Sequence, residues 1–140
     1  MIPLVLKAVL GVVPPIKVFG YDLPTPDGTC IRDYIHVSDL GAAHVLALEY
    51  LANGGESVSL NLGTGRGTSV KEIMDSFERL TGIAVPHELA PPRAGDPPAL
   101  YANATRAKEV LGWVAKRDFD EILTSAWKWQ QKLEAANYQI

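Results

Sequence analysis

The sequence is short of the residue types that mark several functional classes. Cys30 is the single cysteine among 140 residues, which excludes an intrachain disulfide and a cysteine zinc cluster and is typical of a reducing compartment. The 13 lysines and arginines form no basic run, and the net charge is -3, so nothing predicts a nucleic-acid partner. No apolar run approaches the about 20 residues that cross a membrane. We therefore expect neither a nucleic-acid nor a membrane partner.

The apolar N-terminus, residues 1–16, has the composition of a signal peptide but not its layout. Lys7 falls inside the apolar stretch, no basic segment precedes it, and Pro14-Pro15 replace a small-residue cleavage site. We expect an ordinary helix here and a cytoplasmic protein.

Helical and extended patterns alternate along the chain, which favours an α/β fold. The first two predicted helices are Ile2–Leu10 and a helix that is capped by Ser38 or Asp39 and runs to Leu51. A third begins at the capping box Ser69–Glu72 and runs to Leu80, with Gly82 after it, and a short fourth is capped by Asn103 or Thr105 and ends at Leu111. The last helix begins at Asp118–Glu121 and places Ile122, Ala126, Trp129 and Leu133 on one face. The predicted extended segments are Ile16–Phe19, Arg32–Val37, Val58–Leu62 and Val85–Leu89. These strands are too few for a complete doubly wound sheet.

A glycine-rich loop, Gly63–Ser69, lies between a predicted strand and a predicted helix, where a dinucleotide-binding loop would be found. Thr68 occupies the position of the third glycine in that motif, and no Gly-Lys-Ser/Thr sequence follows. We therefore favour a turn that leads into a capped helix over a cofactor site.

Common catalytic and metal-binding patterns are also missing. No tyrosine is followed four positions later by lysine, the pair typical of short-chain dehydrogenases, and no Gly-x-Ser-x-Gly motif occurs. His36, His44 and His87 lack the spacing of metal ligands, so we expect structural roles for them. The sequence predicts no catalytic residue and no metal site.

Arg32 and Arg93 are the remaining candidates for ligand binding. Each has an aspartate nearby in sequence, Asp33 and Asp96 respectively. A guanidinium group presents a planar fork of donors that suits phosphate oxygens, and a carboxylate can accept hydrogen bonds from sugar hydroxyls. The alternative is that both are ordinary surface ion pairs.

Several short segments occur in the order found in one enzyme family. They are Val18–Gly20, Tyr21, Asp27–Thr29, Ile31–Leu40, Asn61–Gly65, Arg93–Asp96, Leu111–Trp113 and Trp127–Gln130. Together these segments resemble the UDP-glucose 4-epimerases (UDP-galactose 4-epimerases), which are extended short-chain dehydrogenases/reductases. Sugar-nucleotide dehydratases, which carry variants of the Arg-Asp-Tyr motif, are the alternative.

The resemblance implies that residues 1–140 are a single C-terminal UDP-sugar-binding domain of an NAD-binding Rossmann-type epimerase. The expected fold is a small mixed sheet with helices, without the Rossmann half. Family members interconvert UDP-glucose and UDP-galactose through a 4-keto intermediate, and their Rossmann half holds the NAD and the catalytic tyrosine and lysine. We therefore expect this chain alone to bind no NAD and to be inactive.

The resemblance also assigns roles to individual residues. It implies that Val18 and Phe19 lie against uracil, that Arg32 and Arg93 hold the diphosphate, and that Asp96 accepts a hydrogen bond from the ribose.

Two positions depart from the family pattern. Pro92 stands where many relatives carry a second arginine, and Leu100 stands near the sugar, where relatives have tyrosine or a smaller residue. The intermediate size of leucine predicts that UDP-N-acetylhexosamines are tolerated.

The partners implied are thus UDP-sugars and an NAD-binding half. We also expect self-association through the apolar surface that this half would cover. The alternative function is an inactive UDP-binding module or a non-functional fragment.

Overall fold

The computed structural model describes residues 1–136, so positions 137–140 of the predicted domain lie outside the described range. In chain order the elements are α1 (Ile2–Val9), β1 (Ile16–Phe19), β2 (Ile31–Asp33), α2 (Val37–Ala52), β3 (Gly67–Ser69), α3 (Val70–Thr81), β4 (His87–Ala90), β5 (Ala99–Leu100), α4 (Thr105–Leu111) and α5 (Phe119–Ala135). Small sheets and helices alternate along the chain, which confirms the predicted α/β class.

The strands form two small sheets. In one, β1 pairs in parallel with β4, so that Phe19 lies opposite Ala90. In the other, β2 lies between β3, which is antiparallel to it, and β5, which is parallel. Arg32 on this central strand is therefore flanked by Thr68 on one side and Leu100 on the other.

The larger hydrophobic core is formed by α1, β1, α3 and α5. Val5, Ile16, Phe77 and Leu123 are almost completely buried in it. The ring of Trp127 packs edge-on against Phe77, with 5.3 Å between the ring centroids. These contacts fix α5 against α1 and α3, and Ile16 joins β1 to the same core.

Local capping signals place several helix ends as predicted. Ser69 forms a reciprocal capping box with Glu72 at the start of α3, and Asp118 forms one with Glu121 at the start of α5. Gly82 ends α3 with a φ of 72°, a left-handed conformation that glycine adopts without strain.

The predicted cap of α2 is wrong. His36, and not Ser38 or Asp39, is the N-cap, and its Nδ1 accepts a hydrogen bond from the Ser38 amide at 3.0 Å. The Asp39 carboxylate is instead turned inward, where it accepts hydrogen bonds from the amides of Lys116 and Arg117 at 2.9 Å. The predicted cap of α4 is wrong as well. Ala104, and not Asn103 or Thr105, is its N-cap, although Asn103 Oδ1 accepts a hydrogen bond from the Thr105 amide at 3.0 Å.

The predicted strands are only partly confirmed. Residues 58–62 belong to none of the described strands, because no described strand lies beside them, and Leu60 and Leu62 pack instead against the smaller cluster around Trp113. The strand predicted over 85–89 is displaced to β4, because Pro86 has no amide proton to donate to a ladder.

Strands β3 and β5 were not predicted, since each is only a few residues long. The single face predicted for α5 is also wrong in part, because Trp129 is 60% exposed, whereas Ile122 is buried. None of the helices described is long and apolar enough to span a membrane.

Asp39 and Arg117 form a half-buried ion pair between α2 and the loop before α5. Their side chains approach to 2.6 Å, and the Asp39 side chain is 3% exposed. Burial raises the pKa of Asp39, but hydrogen bonds from the Arg117 and Lys116 amides and from the Arg117 guanidinium outweigh it, so the pKa is lowered overall. A carboxylate whose pKa is lowered by folding stabilises the folded state only while it is ionised.

Asp39→Asn is therefore expected to lower the free energy of unfolding by about 2 kcal/mol near neutral pH, because it leaves the half-buried Arg117 without its counter-charge. The stability that Asp39 contributes is fully present above the unfolded aspartate pKa of about 3.9. It disappears as the pH falls through the lower folded value. Urea unfolding of both proteins across this pH range measures the difference.

Asp120→Asn is the matched control, because Asp120 also lies 2.6 Å from an arginine, Arg79, but its side chain is 44% exposed. This variant should lose less than about 1 kcal/mol. Equal losses for the two variants would show that burial of the Asp39 pair has no energetic consequence.

Candidate functional site

A groove of about 700 Å³ brings together most of the predicted ligand-binding residues. It lies between the start of α1, strand β1 and the proline-rich loop 91–98. Its charged lining residues are Lys17, Arg32, Arg93 and Asp96. The rest of the lining is mainly apolar and comes from Met1, Leu4, Val13, Pro14, Pro15, Ile16, Phe19, Tyr34 and Val70.

Strand β1 supplies an aromatic surface to this groove. Successive side chains of a strand face opposite sides, so Val18 points into the protein at 1% exposure while Lys17 and Phe19 share the other face. The Arg93 guanidinium stacks over the Phe19 ring at 3.8 Å from its centroid. The aromatic ring and the cation therefore form one continuous surface.

A weak ion pair connects the second predicted arginine to the proline-rich loop. Arg32 Nη2 lies 3.7 Å from Asp96 Oδ1, and the two side chains are 27% and 43% exposed. The other terminal nitrogen of Arg32 donates a hydrogen bond to the Ile31 carbonyl at 2.7 Å. A pair this long and this exposed contributes little stability, so an incoming anion can replace the Asp96 carboxylate at low cost.

The Asp33 carboxylate fixes the strand that carries Arg32. It accepts hydrogen bonds from the amides of Thr64 at 3.0 Å, Gly65 at 3.1 Å and Ala102 at 3.2 Å, and from the Thr64 hydroxyl at 2.6 Å. These contacts, which we call the Asp33 cluster, tie β2 to the segments next to β3 and β5. Because neighbouring strand residues face opposite sides, the cluster orients Arg32 away from the loop and toward the groove.

The same cluster decides the role of the glycine-rich loop. A phosphate-binding loop needs free amides that point at the ligand, but the Thr64 and Gly65 amides already donate to Asp33. A Cβ added at Gly63 would lie 2.5 Å from Asp33 Oδ2, so this glycine serves the approach of the carboxylate. The loop therefore does not fit the NAD pyrophosphate, and its interpretation as a turn leading to α3 agrees with the structure.

The groove has an excess of positive charge. Among residues 1–136, Lys17, Arg32 and Arg93 face it against a single lining carboxylate, Asp96. Tyr34 also lines it, and burial raises the pKa of its phenol, so the hydroxyl remains a neutral donor. A ligand that combines a flat ring with a dianion matches this arrangement.

The predicted residues are not all in the groove. Phe19, Arg32, Arg93 and Asp96 are brought together, whereas only the main chain of the buried Val18 can face a ligand. Leu100 is 61% exposed on β5 beside Arg32 and is not part of the lining. Sequence reasoning missed Lys17, although the alternation along β1 places it on the face of Phe19.

The histidines make hydrogen bonds within the protein. Nε2 of His36, the α2 cap, lies 3.0 Å from the Ser125 hydroxyl. His44 and His87 each lie within 2.9 Å of a main-chain carbonyl oxygen. These contacts agree with the structural roles predicted for them.

Comparison with known proteins gives a consistent result. The sequence model of the NAD dependent epimerase/dehydratase family matches residues 1–63. The UDP-glucose 4-epimerase of Azospirillum brasilense is 53% identical over 135 residues, which cover 96% of this chain and 39% of the relative. The chain is homologous to UDP-glucose 4-epimerases. It spans about 40% of the length of the curated relatives that it matches.

Solved structures of such enzymes superpose closely on this fold. A UDP-glucose-4-epimerase from Stenotrophomonas maltophila with bound NAD and formylated UDP-arabinopyranose has a TM-score of 0.91 at 44% identity, over 96% of this chain and 40% of that chain. One from Bifidobacterium longum in complex with NAD+ and UDP has a TM-score of 0.87 at 40% identity, over 98% and 40% respectively.

The close approach at Gly63 gives a stability prediction. Gly63→Ala would place a Cβ 2.5 Å from Asp33 Oδ2 and 2.6 Å from the Ala102 Cβ, so something must shift. We expect a loss of about 1–3 kcal/mol in the free energy of unfolding, measured by urea denaturation.

Gly41→Ala is the control for this substitution. Its added Cβ meets nothing within 4 Å inside α2, and alanine is the better helix former by about 1 kcal/mol. This variant should therefore be at least as stable as the parent. A Gly63→Ala protein as stable as the parent would contradict the role of the Asp33 cluster.

Proposed function

We propose that residues 1–140 are a single domain, the C-terminal UDP-sugar-binding part of a UDP-glucose 4-epimerase. The observation that carries the proposal is the stack of Arg93 on Phe19 beside Arg32 in one groove. It is supported by relatives whose structures hold UDP or a UDP-sugar at up to 44% identity to this chain.

In this proposal each part of the ligand meets matching chemistry. The uracil lies along β1 at Phe19 and the main chain of Val18. The diphosphate carries two negative charges, which Arg32 and Arg93 bind through their planar donors. Asp96, released from Arg32, accepts a hydrogen bond from a ribose hydroxyl. The nucleotide is thereby held in place while the hexose remains free to turn.

The chemistry itself belongs to residues that this sequence does not carry. The chain has no Tyr-x-x-x-Lys pair, and the amides of its glycine-rich loop are bound to Asp33. We therefore assign no catalytic residue and no NAD contact to it, and propose that UDP-glucose and UDP-galactose are its ligands. These same two features favour the second candidate function, an inactive UDP-binding module.

Binding of UDP is tested by thermal unfolding. At about 100 times its dissociation constant a ligand stabilises the folded state by about 2.7 kcal/mol, which is a rise of several degrees in Tm for a domain of this size. We expect UDP to raise Tm by this amount and Arg93→Ala to abolish most of the rise, because the diphosphate loses a cation and Phe19 loses its neighbour.

The control for the loss of charge is Arg79→Ala, since Arg79 lies outside the groove and pairs with Asp120. It should keep the full UDP-induced rise. A cooperative transition that UDP leaves unchanged would refute binding by the chain alone. An equal loss of the rise in both variants would refute the assigned role of Arg93.

Leu100 is proposed to limit the size of the sugar. In a chimera with the N-terminal part of the Azospirillum brasilense relative, Leu100→Ala should raise kcat/KM for UDP-N-acetylglucosamine relative to UDP-glucose by about tenfold, because removed methyl groups leave room for the acetyl group. Leu89→Ala, which truncates an equally exposed leucine on β4, is the control. The proposal fails if the chimera rejects the acetylated sugar and Leu100→Ala does not change this.

A further inference from the structure

A second groove, of about 670 Å³, lies on the side of β2 to which Asp33 points. It is bounded by the glycine-rich loop, by residues 101–105 directly after β5, and by residues 113–118 before α5. Among residues 1–136 it shares no lining residue with the groove that contains Arg32 and Arg93. Its volume is in the range of small-molecule sites, so it has room for a ligand of its own.

Two aspartates hold the walls of this second groove in place from behind. Asp33 accepts hydrogen bonds from the amides of the glycine-rich loop. Asp39 holds the opposite wall, because its carboxylate accepts from the amides of Lys116 and Arg117 and its carbonyl accepts from Trp113 Nε1, each at 2.9 Å. Both walls are therefore fixed before a ligand enters, and binding costs less conformational entropy than it would between mobile loops.

Two lysines give the second groove an excess of positive charge. Its charged lining residues are Lys108, Lys116, Arg117 and Asp118. The guanidinium of Arg117 is balanced by Asp39, 2.6 Å away. Lys108 and Lys116 are exposed and belong to none of the ion pairs among residues 1–136. Two free ammonium groups thus face one lining carboxylate, and this balance favours an anionic ligand.

The side-chain acceptors of the lining are already engaged within the protein. Oxygen atoms of Asp118, Thr64 and Asn103 each accept a hydrogen bond from a main-chain amide, at 2.8, 3.1 and 3.0 Å respectively. The ammonium groups of the two lysines and the amide nitrogen of Asn103 are donors only. A ligand with several acceptor oxygens, such as a phosphate group, complements this set of donors.

An aromatic ring forms part of the wall of the second groove. Tyr101 lines the groove and is 57% exposed. Its ring lies against Gly67 on β3, where an added Cβ would come within 3.2 Å of Tyr101 Cδ1. Val114, which is 45% exposed, adds apolar surface to the lining. A ring that is supported by a strand and still largely exposed offers a stacking surface to a planar ligand.

We propose that the second groove binds an aromatic phosphate monoester of the nucleoside monophosphate class. The planar ring stacks on Tyr101, and the phosphate lies between Lys108 and Lys116, which act as two point charges. The inference does not depend on the proposed function, because none of the residues assigned to the UDP-sugar lines this groove.

Isothermal titration calorimetry of the 140-residue chain tests the proposal with three probes: adenosine 5′-monophosphate (AMP), inorganic phosphate and adenosine. We expect AMP to bind about tenfold more tightly than phosphate, because only AMP stacks on Tyr101. Adenosine should bind about tenfold more weakly than AMP, because it lacks the charged oxygens. Parent protein that binds no AMP, or binds it no more tightly than phosphate, overturns the proposal.

Variants locate the bound probe. Lys108→Met should weaken the binding of AMP and of phosphate about tenfold, whereas Tyr101→Leu should weaken AMP alone. Lys128→Met is the matched control, since Lys128 is an exposed lysine on α5 that lines neither groove, and it should bind both probes like the parent. Thermal unfolding without ligand checks that each variant is folded.

Three results with these variants would contradict the proposal. Equal binding by Lys108→Met and the parent would show that the lysine does not contact the phosphate. An equal loss in Lys128→Met would show a general attraction of anions to the protein. Loss of AMP binding in Arg93→Ala, together with unchanged binding in Lys108→Met, would place the nucleotide in the groove of Arg32 and Arg93 instead.

Discussion

The hydrogen bonds of the Asp33 carboxylate are the constraint on which this fold and its groove depend. A short strand such as β2 has few ladder bonds of its own. Asp33 adds contacts to Thr64, Gly65 and Ala102, which belong to segments far apart in sequence. A negative charge that receives several amide donors forms strong hydrogen bonds. Arg32 directly precedes Asp33 on the strand, so the bonds that fix Asp33 also fix the direction of Arg32.

The parts of the fold that could be predicted depend on neighbouring residues. The capping boxes at Ser69 and Asp118 and the glycine end of α3 involve residues three or four positions apart, so their signal is complete within a short window. The cap of α2 could not be predicted in this way. His36 is the cap through its bond from the Ser38 amide, and Asp39 is engaged by the amides of Lys116 and Arg117, far along the chain.

The site was predictable in composition but not in geometry. The resemblance identified Arg93 and Phe19 separately, whereas their stack depends on the pairing of β1 with β4 and on the course of the proline-rich loop. The strand period alone would have indicated that Val18 is buried and that Lys17 faces the groove. For the glycine-rich loop the sequence pattern alone was misleading. Its motif resembles a phosphate-binding loop, and only the structure shows that its amides donate to the Asp33 carboxylate.

The groove and α2 are connected by the short segment between β2 and α2. Its residues are held on both sides: Tyr34 packs edge-on against Phe119 at 5.8 Å between centroids, and His36 lies 3.0 Å from the Ser125 hydroxyl. Both contacts are made to α5, so β2 and α2 share a single support. Arg32, to which the proposed function assigns the diphosphate, is therefore held in a fixed relation to α2. In the proposed function this fixed relation matters, because small displacements of the reacting groups cost large factors in rate.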